Sequence, residues 1–487
     1  MYTSYILSRS RDGKLSSLLL KYFLLILSVF IGWNYFGMAF LYYVISLFKL
    51  LDQIGKMSFL NYFFHAVTLV LILQFGSIFW LFSVDKGGYG LLVNIIYYLL
   101  LFLVFYFIKL KFNVKTYSFI LLWLIFEYFL NVSSFSFPWV TLGNVFSTNI
   151  YIIQWYKYTG VLGGTLWLLL LGYSINLYFV KAGKKHLFIA LALFAAPIVT
   201  SLLLYSKPYP EKINNQVIAT VNPALFKNQK VSKDRMAFEI VGYIDTIKPI
   251  DILVIPEQTF EGIHYKRFSK SLISEYFSRL TKKNVRTIFA GTSVIIKNKM
   301  YNGGIVIDKS GHRLKLKQKL IPYTEYLPNQ LSLLLKQRSF DYQQSDSIKQ
   351  IINKNKFLPL VCYESLFSFY VAKSIRASQL MVLISSESFL NGSYFGKLQY
   401  NNLIKIRCVE TGSILVKASS GGKSLVIDEF GKTLNEGVEE VNYFSVNVNS
   451  LPEKTVYSGA TVHLIPYILL SLLLLQIIIL KRKSYQQ

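Results

Sequence analysis

Three residues of this chain have side chains that together could break and remake an acyl bond, and each ends a short apolar run. Cys362 closes "FLPLVC", Glu257 closes "DILVIPE", and Lys317 closes the alternating "RLKLK". A thiol with its ordinary pKa near 8.5 is a weak nucleophile until a base or a cation activates it. A glutamate can take its proton, and a lysine ammonium can stabilise both a thiolate and a tetrahedral oxyanion. The backbone N–H of Tyr363, just past the thiol, is a candidate second oxyanion donor. Each residue also has a plainer reading. A lone cysteine is often a small buried apolar filler, Lys317 shares a strand face with Arg313 and Lys315, and Glu257 could be a helix N-terminal charge.

Reactive groups are best held at strand ends, where the backbone is rigid and the side chain opens into a crevice. Residues 207–460 have the pattern for this. Strand-like runs occur at "NQVIATV" (215–221), "DILVIPE" (251–257), "TIFAGTSVI" (287–295), "GGIVIDKSG" (303–311), "PLVCYE" (359–364), "LMVLISS" (380–386), "GSILVKASS" (412–420) and "SLVIDEFGK" (424–432). Helical patterns at 267–283 and 400–410 alternate with them. Short strands with helices between predict an α/β layered domain, and about 250 residues suffice for one core.

The rest of the chain has a different composition. The protein is 53% hydrophobic and 16% aromatic, and its apolar residues come in long blocks. About 20 mostly apolar residues cross a hydrocarbon core. Seven such spans are expected at 16–33, 35–51, 59–83, 89–109, 116–132, 161–181 and 186–205, with an eighth at 463–480. The first two are split at "GWNYFG". The basic leader runs straight into apolar sequence without a small-residue cleavage site, so it reads as an uncleaved membrane segment.

Positive charge alternates along the connections. Arg9, Arg11 and Lys14 precede the first span, Lys49 and Lys56 flank the second turn, and Lys109, Lys111 and Lys115 form the fourth connection. Lys181, Lys184 and Lys185 form the sixth, and Lys481, Arg482 and Lys483 close the chain. The intervening connections carry little. Lys and Arg collect on the cytoplasmic side, so both termini are expected in the cytoplasm and residues 207–460 outside.

Composition excludes several classes. Two cysteines and five scattered histidines make neither a disulfide framework nor a metal centre. The net charge of +27 suits anionic lipid surfaces, and no nucleic-acid motif accompanies it. "SSGGKS" lacks the first glycine of a phosphate loop and leads into a strand. A transport pathway would need more acids and bases within the spans.

In chain order, "VIPEQ", "KQKLIPYTEYLP" and "VCYES" resemble the Glu–Lys–Cys signature of the nitrilase superfamily, and most closely its membrane branch, the apolipoprotein N-acyltransferase family. The family's lysine motif reads Lys-x-His-Leu-Val-Pro-Phe-Gly-Glu-Tyr-x-Pro. Lys317, Leu320, Ile321, Pro322, Tyr323, Glu325, Tyr326 and Pro328 fit it. Cys362, Tyr363 and Glu364 match the family's Cys-Tyr-Glu. "FPWVTLGN" (137–144), "QWYKYTGVLGG" (154–164), "YNGGIVIDKSG" (301–311) and "SSGGKSLVIDEFGK" (419–432) resemble further family segments. Three departures stand out. "SESFLN" (386–391) replaces Asn-Asp-x-Trp-Phe-Gly, Gln399-Tyr400 replaces Gln-His, and "NPALFKNQKVSKD" (222–234) lacks the family's tryptophan.

The resemblance implies a helical membrane domain (1–206), an extracytoplasmic nitrilase-like αββα sandwich (207–460), and a C-terminal transmembrane helix with a basic tail (461–487). It implies acyl transfer from a membrane glycerophospholipid to Cys362, and then from the thioester to the α-amine of a diacylglyceryl-cysteine on an apolipoprotein. In that reaction Glu257 is the base and Lys317 the oxyanion stabiliser. Glu325 and Glu364 hold Lys317 and the local loops. No cofactor or metal is expected, and the chain is expected to be a monomer in the bacterial cytoplasmic (inner) membrane with its catalytic domain periplasmic. The other enzyme compatible with these residues is a membrane-tethered amidase or nitrile hydrolase. Segments 388–400 and 329–350 are candidate flaps, or respectively an aromatic belt and a peripheral amphipathic helix.

Overall fold

The computed structural model describes residues 2–133, 136–205, 215–222, 232–244, 249–327, 342–345, 357–376, 380–447 and 454–484, with side chains from 18 to 479. Pro328 and most of segment 329–350 lie outside the described residues, as do 223–231 of the loop lacking the family's tryptophan.

The apolar blocks form helices α1 (Tyr2–Asn34), α2 (Leu41–Leu51), α3 (Phe59–Ile78), α4 (Gly87–Phe112), α5 (Ser118–Val132), α6 (Tyr156–Lys181) and α7 (Lys184–Tyr205). The basic leader belongs to α1, which starts well before the expected span. The "GWNYFG" break is real: a 3-10 turn at Gly37–Phe40 separates α1 from α2. Among the described residues, five helical segments are long and apolar enough to cross a membrane: Phe59–Ser83, Gly87–Phe112, Tyr156–Lys181, Lys184–Tyr205 and Tyr457–Ile479. Gly37–Leu51 and Ser118–Val132 are apolar helices of only 10–17 residues, shorter than the about 20 that a straight crossing takes, whereas the apolar stretch Leu18–Asn34 is the end of the 33-residue α1.

The sandwich starts with β1 (Asn215–Val221), α8 (Lys233–Ile244), β2 (Ile250–His264), α9 (Leu272–Lys283), β3 (Val285–Ile296), β4 (Lys299–Asp308) and β5 (Gly311–Leu316). It continues with β6 (Phe357–Val361), α10 (Ser368–Ser374), β7 (Leu380–Ser386), α11 (Tyr394–Thr411), β8 (Leu415–Ser420), β9 (Ser424–Ile427), β10 (Thr433–Gly437) and β11 (Val441–Asn447). α12 (Val462–Ser484) follows. One sheet has the order β11-β1-β2-β3-β4-β5 and the other β10-β9-β8-β7-β6. β1–β2–β3 pair in parallel at the centre of the first sheet, and β8–β7–β6 pair in parallel from the centre of the second to its edge. Their near-continuous apolar runs fit strands covered on both faces.

Three apolar cores lie between the layers. Ile218, Val254, Phe289, Val306, Val361, Val382 and Val416 fill the space between the sheets. α8 and α9 cover the outer face of the first sheet through Ile240 and Phe277. The outer face of the second sheet (Leu358, Leu360, Met381, Leu383) and the buried side of α11 join the membrane helices in one continuous apolar core. That helix layer of the sandwich is therefore buried against the membrane helices.

Two buried polar contacts dock α11. Gln399 satisfies all four of its hydrogen-bonding positions on the membrane helices and their loops. Its Oε1 accepts from Trp80 Nε1 (3.0 Å) and Trp139 Nε1 (2.9 Å), and its Nε2 donates to Asn34 Oδ1 (2.9 Å) and the Ser77 carbonyl (2.8 Å). Glu410 Oε1 accepts from the Val161 N–H (2.7 Å) and Ser368 Oγ (2.8 Å). That N–H follows Gly160, whose φ of +65° breaks α6. A Cβ at Gly160 would lie 2.3 Å from the Tyr457 ring.

Gln399→Leu keeps the volume and orphans two indole N–H groups. Each buried unsatisfied group costs roughly 1–3 kcal/mol, so the thermal unfolding midpoint in detergent is expected to fall by several degrees.

Candidate active site

Glu257 does not end its strand. β2 runs on to His264, and its register with β3 shifts between Ile255 and Phe260. Glu257 sits in that irregularity beside Gln258, whose φ is +56°. β3 approaches so closely here that a Cβ on Gly291 would lie 2.1 Å from the Pro256 carbonyl oxygen and 2.5 Å from Glu257 Cα. The bulge turns the carboxylate into the site while β2 stays within the sheet.

Lys317 follows β5, where its N–H donates to the Asn302 carbonyl (2.8 Å). Its Nζ donates to Glu257 Oε1 (2.8 Å) and Glu325 Oε1 (2.9 Å). The Asn302 carboxamide bridges the same oxygens at 2.8 and 2.6 Å. Glu257 Oε2 accepts from the Ser386 N–H (3.1 Å), and Glu325 Oε2 from the Ile321 N–H (2.8 Å). Burial alone would lower the Lys317 pKa, but the two carboxylates outweigh it and hold the ammonium well above its ordinary value.

The cluster is fully buried, so its parts depend on one another. Lys317→Met leaves two carboxylates facing each other without their cation. Removing one partner of a buried ion pair costs about 3–5 kcal/mol, and chemical denaturation of the purified variant is expected to read a loss of that size.

Cys362 stands at the end of β6, opening a 3-10 turn at Cys362–Leu366, with a left-handed φ of +46°. Its thiol lies within the electrostatic reach of Glu257 and Lys317. Burial first, then the Glu257 charge, hold the thiol well above its ordinary pKa against the pull of Lys317. At rest, then, a neutral thiol faces a carboxylate, and a thiolate forms only by passing its proton on. Cys408 is also unpaired and buried. It lies on α11 in the membrane-side core, whereas Cys362 lies in the core between the sheets.

The structure separates the two supporting glutamates. Glu325 contacts Lys317. Glu364 instead accepts from Lys315 Nζ (2.8 Å), Tyr370 OH (3.1 Å) and the N–H groups of Gln318 (2.7 Å) and Val361 (2.9 Å). It ties the end of β5 to the end of β6 and leaves Lys317 alone. The Tyr363 hydroxyl donates to the Ser136 carbonyl (2.7 Å), so the residue after the thiol is anchored in the loop following α5. Among the described residues, no cluster of His, Cys, Asp or Glu is arranged to hold a metal.

Beside this cluster lies a small apolar cleft. Its walls come from both parts of the protein: Trp80, Tyr97 and Trp139 from the membrane helices and their loops, and Ile321, Tyr323 and Tyr363 from the sandwich. Phe389 also lines it, whereas Tyr394 is exposed and Gln399 is locked. Only the first part of segment 388–400 therefore meets the cleft.

The model of the apolipoprotein N-acyltransferase N-terminal domain matches residues 19–174, which are α1 to α6 and the loops that wall the cleft. An apolipoprotein N-acyltransferase of Rickettsia typhi is 24% identical over 380 residues, 73% of this chain and 75% of the relative. One from Azotobacter vinelandii is 25% identical over 342 residues, 65% of this chain and 63% of the relative. The chain is thus similar to apolipoprotein N-acyltransferases over most of its length. Among solved structures, a CN-hydrolase superfamily protein of Xanthomonas campestris is 14% identical, covering 49% of this chain and 93% of that one with a TM-score of 0.35.

Two departures from the N-acyltransferase pattern can be located. Ser386 meets Glu257 through its backbone N–H, a contact that any residue type except proline supplies. Tyr400 lies against the backbone of Cys362. Asn302 was not singled out in the sequence, although it touches both carboxylates. The one available signal was a polar residue before the paired glycines of an otherwise apolar strand. Glu387 and Lys417 were missed too. They form a buried ion pair, and Ser419 Oγ donates to the same Glu387 oxygen (3.1 Å).

Proposed function

We propose that this membrane protein N-acylates lipoproteins, moving an acyl chain from a glycerophospholipid through a thioester on Cys362 to the α-amine of an N-terminal diacylglyceryl-cysteine. The observation that carries this reading is the apolar cleft shared by the membrane helices and the sandwich, lined by Tyr363 next to the buried thiol. Each CH₂ kept from water is worth about 0.8 kcal/mol, so a long acyl chain must be handled where it need not leave an apolar surface. A hydrolase acting on small soluble amides or nitriles would have no use for such a wall.

In the first step the Cys362 thiol gives its proton to Glu257 and attacks the ester carbonyl. The C–S bond forms, and the carbonyl electron pair moves onto oxygen, where the Lys317 ammonium and the Tyr363 N–H stabilise it. Collapse breaks the C–O bond, and the lysophospholipid leaves with the proton held by Glu257. In the second step the neutral amine attacks the thioester and passes a proton to Glu257. The N–C bond forms, and Cys362 leaves as a thiolate and regains its proton. Glu325 and Asn302 keep Lys317 aimed, and Glu364 braces the two strand ends that carry Lys317 and Cys362.

The charge alternation supports an inner-membrane topology with both termini cytoplasmic and the catalytic domain (207–460) in the periplasm. It sits between a membrane domain (1–206) and a C-terminal helix with its tail (461–487).

The test uses the purified protein in detergent with an alkyne-tagged phospholipid and a synthetic diacylglyceryl-cysteinyl peptide. Expected is a hydroxylamine-labile tag on the protein that moves to the peptide amine. An untagged protein, or a tag released only as free fatty acid with the peptide present, would overturn the reading.

A further inference from the structure

A residue with a side chain at left-handed φ costs about 1–3 kcal/mol and persists only where its surroundings hold it. Cys362 is such a residue, with φ at +46°. Two buried hydroxyls meet its carbonyl. Ser365 Oγ donates at 2.7 Å and Tyr400 OH at 3.3 Å, and the two hydroxyl oxygens are 3.4 Å apart. Tyr400 comes from α11, on the outer side of the second sheet. Lys317 and Glu257 come from the first sheet, on the inner side.

The peptide between Cys362 and Tyr363 is trans. In a trans peptide the C=O and the following N–H point in opposite directions. With its carbonyl drawn towards α11, the peptide turns the Tyr363 N–H away from α11, towards the side where Lys317 stands. Tyr400 is itself held. Its ring stacks on Trp139, with centroids 6.3 Å apart, and Lys417 Nζ lies 5.6 Å from its centre. Lys417 is fixed by Glu387 and Asn401. Burial keeps the Tyr400 hydroxyl protonated, its pKa well above the ordinary value, so it remains a donor.

We propose that Tyr400 and Ser365 are positioning residues that clamp the Cys362 carbonyl and thereby aim the Tyr363 N–H at the oxyanion. The proposal rests on the reading of Cys362 as the acylated nucleophile. It also accounts for the tyrosine at this position, whose hydroxyl reaches the nucleophile's backbone.

The test compares three reagents on wild type, Tyr400→Phe and Ser365→Ala, following modification of Cys362 by peptide mass spectrometry. A p-nitrophenyl ester acylates the thiol through an oxyanion, expelling p-nitrophenolate. Its thionoester counterpart places the developing charge on sulfur, a poor hydrogen-bond acceptor. Iodoacetamide alkylates the thiol by displacing iodide, with no oxyanion. An aryl ester reacts with an activated thiol whatever its natural donor, so a failure of phospholipid labelling leaves this test standing.

Losing a well-aimed oxyanion donor costs about 10²–10³ in rate. Tyr400→Phe and Ser365→Ala, which loosen the donor without removing it, are expected to slow oxoester acylation roughly tenfold or more. The oxoester-to-thionoester rate ratio is expected to shrink in step, and alkylation to stay within about twofold of wild type. Oxoester acylation unchanged in both variants would overturn the proposal. So would a parallel fall in all three reactions, which is what general loosening of the site produces, or a wild-type Cys362 inert to the oxoester.

Discussion

Cys362→Ala is expected to carry no acyl tag and to transfer none to the acceptor peptide, with activity falling to the uncatalysed background. The substitution isolates the chemistry well. Alanine keeps a Cβ, so the left-handed backbone at +46° is strained to the same degree. Only one sulfur atom leaves a well-packed core, and a change of that size costs about 1 kcal/mol. The ring of contacts among Glu257, Lys317, Glu325 and Asn302 does not pass through the thiol. A folded, inactive protein is therefore expected, with an unfolding midpoint near that of wild type. Cys408→Ala is the matched control. Its sulfur contacts the Ile404 carbonyl within its own helix (3.6 Å), and that variant should keep the tag. A tag retained on Cys362→Ala and lost on Cys408→Ala would move the nucleophile to the other side of the second sheet and rule out the proposed chemistry at Cys362.

Glu257→Gln is expected to lower thioester formation at neutral pH by about 10²–10⁴, the usual contribution of a positioned base. The pH profile separates this from simple damage. Burial, the largest influence raising the Cys362 thiol pKa, persists in the variant, so without a base the thiolate must arise by free ionisation. The thiolate fraction of such a group rises about tenfold per pH unit below its pKa. The residual rate of the variant should climb with that slope through the alkaline range. The wild-type rate should vary much less, because the proton moves to Glu257 within the site. The sign is firm, since a raised thiol pKa always favours activity at higher pH when only the thiolate reacts. A flat profile at the reduced rate would mean that Glu257 supports Lys317 and does not take the proton.

Much of the architecture was written locally. Asn215–Val221 and Leu380–Ser386 are strands over the ranges their apolar runs indicate. The basic and aromatic breaks between apolar blocks mark the ends of the helices, down to the turn between α1 and α2. Burial on both faces demands continuous apolar sequence, and such runs can be read without knowing what they pack against. Lys317 is legible at the close of β5 for a different reason, the strict alternation of leucine with basic residues in "RLKLK". The less regular elements were not. β10, β11, α8 and α10 went unexpected because partners far along the chain stabilise them: β11, for instance, pairs with β1 more than two hundred residues earlier.

The site divides along the same line. Residue type and order marked Cys362, Glu257 and Lys317 as candidates, and it was the motifs around them, "VIPEQ", "KQKLIPYTEYLP" and "VCYES", that set them apart from other acids, lysines and thiols. Their partners required the fold. Whether a glutamate near Lys317 serves Lys317 or Lys315 depends on which strand end faces which, and the answer differs for Glu325 and Glu364. The bulge that turns Glu257 inward depends on the absence of a side chain at Gly291 on the neighbouring strand. Gln399 and Tyr400 are adjacent in sequence, yet one locks onto the membrane helices and the other onto the backbone of Cys362. Local sequence determines which groups are present and what surface each element must bury. Only the packed sheets and helices bring carboxylate and ammonium within hydrogen-bonding distance and bury the thiol beside them, and that burial keeps the thiol protonated.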